Sequence, residues 1–336
     1  MTTDRINHAN STLMVLGAGA AFLAPFEVFL LAYAVLGPLH YLTEISWLSD
    51  RRCFLTSRRE GLTLLMVCVA MVLVLLMPLR FDRKSEAIAV INYAAIAGTG
   101  VMVFARGAAH KVIASIAAAI MFLLGCRSEW WRVIFGPLLP TIIHVYFFTA
   151  AFIVLGALRR RSKSAGGSLA MLLLCSLSFF IVPMRPIHPV SEFARIAYAP
   201  FENINWIMMN ALRLTPTGAG SALYDSPQGL AVMRFIAFAY LHHYLNWFSK
   251  VSIIKWNRIS MRRAGTIAAL WAASMWAYAH HGGALAILPA MLSYVHGFME
   301  MPLDHRAFAG IVNEVRALLG ERLDAVASRD AQTGAV

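Results

Sequence analysis

Tyr240-Leu241-His242-His243-Tyr244-Leu245-Asn246-Trp247 closes an apolar segment that runs from Leu230 to Phe248 and ends in a basic run, Lys250, Lys255, Arg258, Arg262 and Arg263. An apolar stretch of this length with a basic flank reads as a helix that crosses a membrane and stops at its cytoplasmic surface. Two adjacent imidazoles in so apolar a segment are costly to bury unless each finds a partner. Two other segments offer partners: one carries His40 and Glu44, the other His296 and Glu300, each pair four residues apart. The three segments are expected to meet and to hold a metal.

The rest of the chain fits the same solvent. Of its 336 residues 59% are hydrophobic and 14% charged, with a mean hydropathy of +0.65, whereas soluble domains carry roughly 25% charged residues. Apolar runs recur over about 12–39 (with a helical pattern reaching Trp47), 62–79, 87–105, 111–125, 133–158, 169–182, 230–248, 266–279 and 284–301. Each approaches the length that a helix needs to cross a hydrocarbon core ~30 Å thick. The predicted fold class is all-α, a polytopic transmembrane helical bundle of about nine spans over 1–303. Residues 183–228, rich in Pro, Gly, Asn and Ser, form an outer loop with a short interfacial helix over 201–214. Pro302 starts a cytoplasmic tail, 304–336, with an amphipathic helix over 311–326. No internal repeat is visible.

Charge sets the orientation and excludes some functions. The net charge of +12 sits in short basic runs between apolar segments, the pattern of positive-inside loops rather than of a nucleic-acid surface. The heaviest runs follow the first, fifth and seventh spans. That places the N-terminus outside and the C-terminus in the cytoplasm of a cell with an inner (plasma) membrane. Cys53, Cys68, Cys126 and Cys175 show no CxxC spacing, so neither a disulfide framework nor a thiolate metal site is expected. No GxSxG elbow, P-loop or removable signal peptide is evident.

The ionisable residues inside the spans then fall at one level. His40 lies eleven residues before Arg51, His242 and His243 eight and seven before Lys250, and His296 eight before Asp304. At 1.5 Å per residue these are on the order of 10–17 Å from the cytoplasmic flank, with His144 at roughly 22 Å. Residues i and i+4 share a helix face, so His40 with Glu44 and His296 with Glu300 can each point two ligands at one centre. His242 and His243 diverge by about 100°, so only one of them can point straight at it. His40, His242, His243 and His296 are the expected ligands, with Glu44 and Glu300 as carboxylate ligands or their hydrogen-bond partners. His144, Tyr240 and Tyr244 are the candidate catalytic residues, Tyr41, Asn246 and Trp247 lending further hydrogen bonds. Other polar residues carry bland readings. Glu27, deep in the first span, is expected to pair with Arg185, Arg234 or a backbone group. His110, His188, His280, His281 and His305 read as solvated.

The run Gly37-Pro38-Leu39-His40-Tyr41-Leu42-Thr43-Glu44 is similar in order and spacing to the Gly-Leu-Pro-His-Gly-x-x-Asp motif of the bacterial membrane β-carotene cleavage dioxygenases, the bacteriorhodopsin-related protein family. The resemblance implies non-haem iron held by histidines from several spans, and cleavage of a carotenoid. More loosely the chain resembles the histidine-box membrane desaturases and hydroxylases, without their HxxxH and HxxHH boxes. The expected function is an iron-dependent oxygenase, desaturase or hydroxylase with one or two ions, acting on a lipophilic substrate from the bilayer, with an electron-donor protein as a further partner. Zinc is the second choice of metal. The alternative is a proton-coupled transporter in which the same His and Glu residues form a relay, and a third reading is a non-catalytic assembly or lipid-binding factor.

Overall fold

The computed structural model describes residues 3–182, 188–214, 222–280 and 287–333, and among them all regular structure is helical. Ten long helices follow one another: α1 Thr3–Leu23, α2 Pro25–Asp50, α3 Arg58–Leu76, α4 Phe81–Phe104, α5 Ala108–Gly125, α6 Glu129–Arg160, α7 Lys163–Ile181, α8 Pro227–Ser249, α9 Met261–His280 and α10 Ile287–Thr333. Six of these, α2 to α7, are long and apolar enough to cross a membrane. The side chains they turn outward are those a lipid environment accepts. No residue of α5 is buried, and Ile113, Met121 and Leu124 (80% exposed) stand on its surface.

The first expected span is two helices. Ala24, with φ −146° and ψ 66°, leaves the helical region just before Pro25, whose fixed φ suits the first turn of a new helix. The chain reverses there. Asn10 reaches Asn246, Gly17 faces Leu241 and Phe22 lies under Arg234, so α1 runs antiparallel to α8. Beyond the break Phe29 meets Tyr240, Tyr41 meets Tyr244 and Thr43 meets Trp247, so α2 runs parallel to it. Glu27 therefore sits at the turn of a hairpin and is exposed, not deep in a span; Arg185, offered as its partner, lies outside the described residues.

This hairpin changes the helix order. Among the described residues ten long helices stand where nine apolar runs are expected, six of them long and apolar enough to cross a membrane, and residues near both ends of the chain meet at one end of the bundle. Ser164 bonds Asp4, while Arg161, three residues earlier, pairs with Glu321 at 2.6 Å. Asp4 and Glu321 thus stand at one end of the bundle, where the sequence reading places the two termini on opposite faces. The loops after α2, α6 and α8 keep their common side, because splitting the first span moves only the N-terminus. That basic end gathers Arg51, Arg59, Arg160, Lys250 and Arg263.

Two further expectations shift. The outer loop holds two short helices, Glu192–Tyr198 and Glu202–Ala211, the second within the interfacial stretch expected. Pro302 does not end α10: the helix runs on to Thr333. Phe298 and Met301 before the proline pack with Leu64, Cys68 and Met71, and Asp304 and Ala307 beyond it are buried too. Packing on both flanks outweighs the ~3 kcal/mol cost of an interior proline.

α8 is the axis of the bundle. It is buried on nearly every side, from Gly229 to Trp247, and touches α1, α2, α6 and α7. A helix shielded from lipid can carry Arg234, His242, His243 and Asn246 at no cost of lipid exposure, which is why its composition is more polar than that of the peripheral helices.

Candidate metal centre

Four helices each bring one imidazole to the same place: His40 from α2, His144 from α6, His243 from α8 and His296 from α10. Ring centroids lie 4.7 Å apart for His40 and His243, 4.9 Å for His40 and His296, 4.8 Å for His144 and His296, and 5.2 Å for His144 and His243. Two carboxylates sit among them. Glu44 Oε2 is 3.2 Å from His40 Nε2 and 3.5 Å from His296 Nε2; Glu300 Oε2 is 3.5 Å from both His144 Nε2 and His296 Nε2. All six side chains are buried.

Local irregularities in α2 and α6 help set these positions. Residues Ala32–Leu36 form a π turn just ahead of Gly37-Pro38, and Ile134–Phe148 are in π register around Pro137 and Pro140. A proline lacks the N–H for the ordinary i→i−4 bond and clashes with the carbonyl there; widening the turn relieves both. The carbonyls of Phe135 and Gly136 are met by Asn92 Nδ2 from α4, at 2.7 and 3.3 Å. Gly37 lies at a close approach, since a Cβ there would stand 3.1 Å from Tyr244 Oη and 3.2 Å from Tyr41 Oη, and those hydroxyls would have to give way.

The far nitrogens of two rings are fixed. His296 Nδ1 donates to the carbonyl oxygen of Ser293 at 3.2 Å, and His243 Nδ1 lies 2.7 Å from Thr149 Oγ1. Their Nε2 atoms are thereby turned inward. At the centre, His40, His144, His243 and His296 Nε2 and Glu300 Oε2 all lack a hydrogen-bond partner. Since a carbonyl only accepts, His296 Nδ1 bears a proton, and neutral His296 then presents a lone pair to two carboxylate oxygens. Buried polar atoms left this way cost about 1–3 kcal/mol each, more where charged. A cation among them converts the mutual repulsion into coordination.

The spacing suits one. The donors of His40, His243 and His296 lie within 4.8 Å of one another, as do those of His144, His296 and Glu300. Two donors on one ion at about 2.1 Å cannot be more than about 4.2 Å apart, so each triple needs to close by about half an ångström at most. His296 belongs to both, which fits a single ion bound by both sets or a pair of ions sharing that corner. Imidazole with carboxylate suits iron, manganese or zinc.

The structure divides the expected site residues. His40, Glu44, His144, His243, His296 and Glu300 come together, and Tyr244 borders them, its ring 5.2 Å from that of His40 and its hydroxyl 2.7 Å from Tyr41 Oη. His242 does not join: it turns away and stacks on Phe238, as the 100° between neighbours requires. Tyr240, a turn further along, packs with Phe29 and Tyr33 instead. Asp304 was missed. It is 2% exposed with both carboxylate oxygens unpartnered, one turn beyond Glu300; its signal is the spacing His296, Glu300, Asp304 on one helix face, which a helix that ends at Pro302 would not show. His305, read as solvated, contacts the Ile96 carbonyl at 2.9 Å and Thr99 Oγ1 at 3.2 Å. His281 and the side chain of His280 lie outside the description; His110 and His188 are exposed.

A cavity of about 310 Å³ opens from the centre toward the basic end, between Trp47, Trp247, Phe152 and Leu303. Compared with known proteins, the chain matches no family model, no curated protein and no solved structure.

Proposed function

We propose that this chain is an integral membrane oxidoreductase whose non-haem metal, iron in preference to zinc, is held by His40, His144, His243 and His296 with Glu44 and Glu300. One observation carries the reading: unpartnered Nε2 atoms from four helices converge on two buried carboxylates. Six candidate donors exceed the four of a structural zinc site and match a larger coordination sphere of nitrogen and oxygen. The Gly37 to Glu44 run likened to the carotenoid dioxygenases contributes two of the six.

The metal, when bound, supplies oxygen activation. The residues around it do the rest. Ser293 and Thr149 hold the His296 and His243 rings in register, keeping each Nε2 lone pair inward. Trp47, Trp247 and Phe152 give the cavity its apolar wall. The Tyr41–Tyr244 hydroxyl pair holds a proton beside the His40 ring, within reach of a reacting group. The substrate is lipophilic and enters from the bilayer. The basic end faces the cytoplasm of a cell whose inner membrane holds the bundle, and an electron-donor protein with an acidic face would dock there.

The test is elemental analysis of protein purified in mild detergent, wild type beside His243→Ala and His242→Ala. Near-stoichiometric iron, lost in the first variant and kept in the second, is the expected result. Wild type that holds no metal after anaerobic iron loading overturns the reading and leaves the proton relay in front; zinc would redirect it to transfer or hydrolytic chemistry.

A further inference from the structure

The cavity that reaches the centre is apolar along its walls and cationic at its mouth. His40, Glu44, His243 and Glu300 form its inner end, and among the described residues Lys250 is the only lysine or arginine that lines it. A second cavity of about 150 Å³ shares Phe152 and Lys250 with the first and continues past Asn10 to Arg160. Asn10 Nδ2 donates to Asn246 Oδ1 at 3.2 Å where the two cavities adjoin. Lys250 thus stands at the junction of a two-part channel from the basic end to the centre.

Its charge is unanswered. Lys250 has no carboxylate partner among the described residues, and Glu44 and Glu300, the two carboxylates lining the same cavity, face imidazoles instead. Desolvation alone moves its pKa, to about 8, which leaves the ammonium mostly charged at neutral pH. A half-buried cation in an apolar-walled cavity is stabilised by an anion that fills the space. The walls require that the rest of the ligand be apolar, and the volume is at the lower end of ordinary ligand sites, ~300–1,000 Å³.

We infer that Lys250 anchors the carboxylate of a medium-chain fatty acid whose chain runs inward to the metal centre. The inference rests on the proposed function for what happens at the inner end, but not for the binding itself. The orientation is the one a fatty acid already has in a leaflet, with its head at the interface and its chain toward the midplane. Lys250, the residue that caps α8, lies seven residues or about two turns beyond His243, on the order of 10 Å along the axis. The head therefore sits well away from the imidazoles, and the carbon presented to the centre lies along the chain, not beside the carboxylate.

Trp47 and Trp247 line the cavity, so a brominated probe reports on it. Protein in lipid nanodiscs is titrated with 9,10-dibromodecanoic acid and with 9,10-dibromodecanol, following tryptophan quenching, and metal content is measured on the same samples. The acid is expected to bind about tenfold tighter than the alcohol. Lys250→Gln is expected to bring the acid down to the level of the alcohol, and Lys250→Arg to restore much of the difference. Wild type that binds acid and alcohol equally overturns the inference without any variant; so does Lys250→Gln that binds the acid as wild type does. Lys250-dependent acid binding by protein that holds no metal would keep the site and overturn the oxidoreductase reading.

Discussion

His296 Nδ1 and the Ser293 carbonyl oxygen, 3.2 Å apart, fix which face of one imidazole looks at Glu44 and Glu300. That single hydrogen bond, within one turn of α10, leaves His296 Nε2 aimed at two carboxylates with no proton of its own when the ring is neutral. The centre thus offers imidazole lone pairs and carboxylate oxygens to a cation.

Metal removal is expected to loosen the bundle. Ligand that binds only the folded state adds about 2.7 kcal/mol of stability at a hundred times its dissociation constant. Chelated protein should therefore melt lower than iron-loaded protein, with the difference growing as free metal is raised. His243→Ala should melt at the same temperature with and without iron. Equal melting of loaded and chelated wild type would remove the cation from the centre.

Thr149→Val probes the support of one ligand. It deletes the partner of His243 Nδ1 while keeping the side-chain volume. Loss of such a partner lowers metal affinity roughly 10–100-fold. A competition titration against a chelator of known affinity measures it. Unchanged affinity would mean that His243 does not need Thr149 to face the metal.

Gly37→Ala tests the close approach of α2 and α8. The added Cβ would meet Tyr244 Oη at 3.1 Å and Tyr41 Oη at 3.2 Å, and overpacking of this kind costs about 1–3 kcal/mol. Tyr244→Phe in the same chain removes the nearer oxygen, so the double variant should recover part of the loss, read as a non-additive term in a thermal-melt cycle. Strict additivity would show that the glycine is not there for Tyr244.

The hairpin at Ala24 makes a prediction about topology. Arg5→Cys and Glu321→Cys, each placed in a chain whose four cysteines are replaced, should react with a membrane-impermeant maleimide from the same side of sealed vesicles. Labelling from opposite sides would restore the single first span and separate the termini.

Much of this was legible in the sequence, because a bilayer imposes the same demand on every span. Apolar runs bounded by basic loops reveal helices wherever the helix faces lipid, as in α3 to α7. The i, i+4 pairs His40–Glu44 and His296–Glu300 were legible too, since both partners lie on one helix and 3.6 residues per turn decides their common face. The break at Ala24 was not. Leu23, Ala24 and Phe26 are as apolar as their neighbours, and a proline at a first turn looks the same in sequence as a kink within one long helix.

The sequence by itself determined the helical class, the apolar surface, the basic end and which residue types could hold a metal. Only the tertiary structure decided that His243, and not His242, faces the centre, because neighbours on a helix diverge by about 100° and the packing of α8 selects one of them. It also brought His144 from a π-registered stretch to Glu300, buried Asp304 beyond Pro302, and set Lys250 at the mouth of a cavity. Those are relations between helices, fixed by how their faces interlock, and no spacing within one helix encodes them.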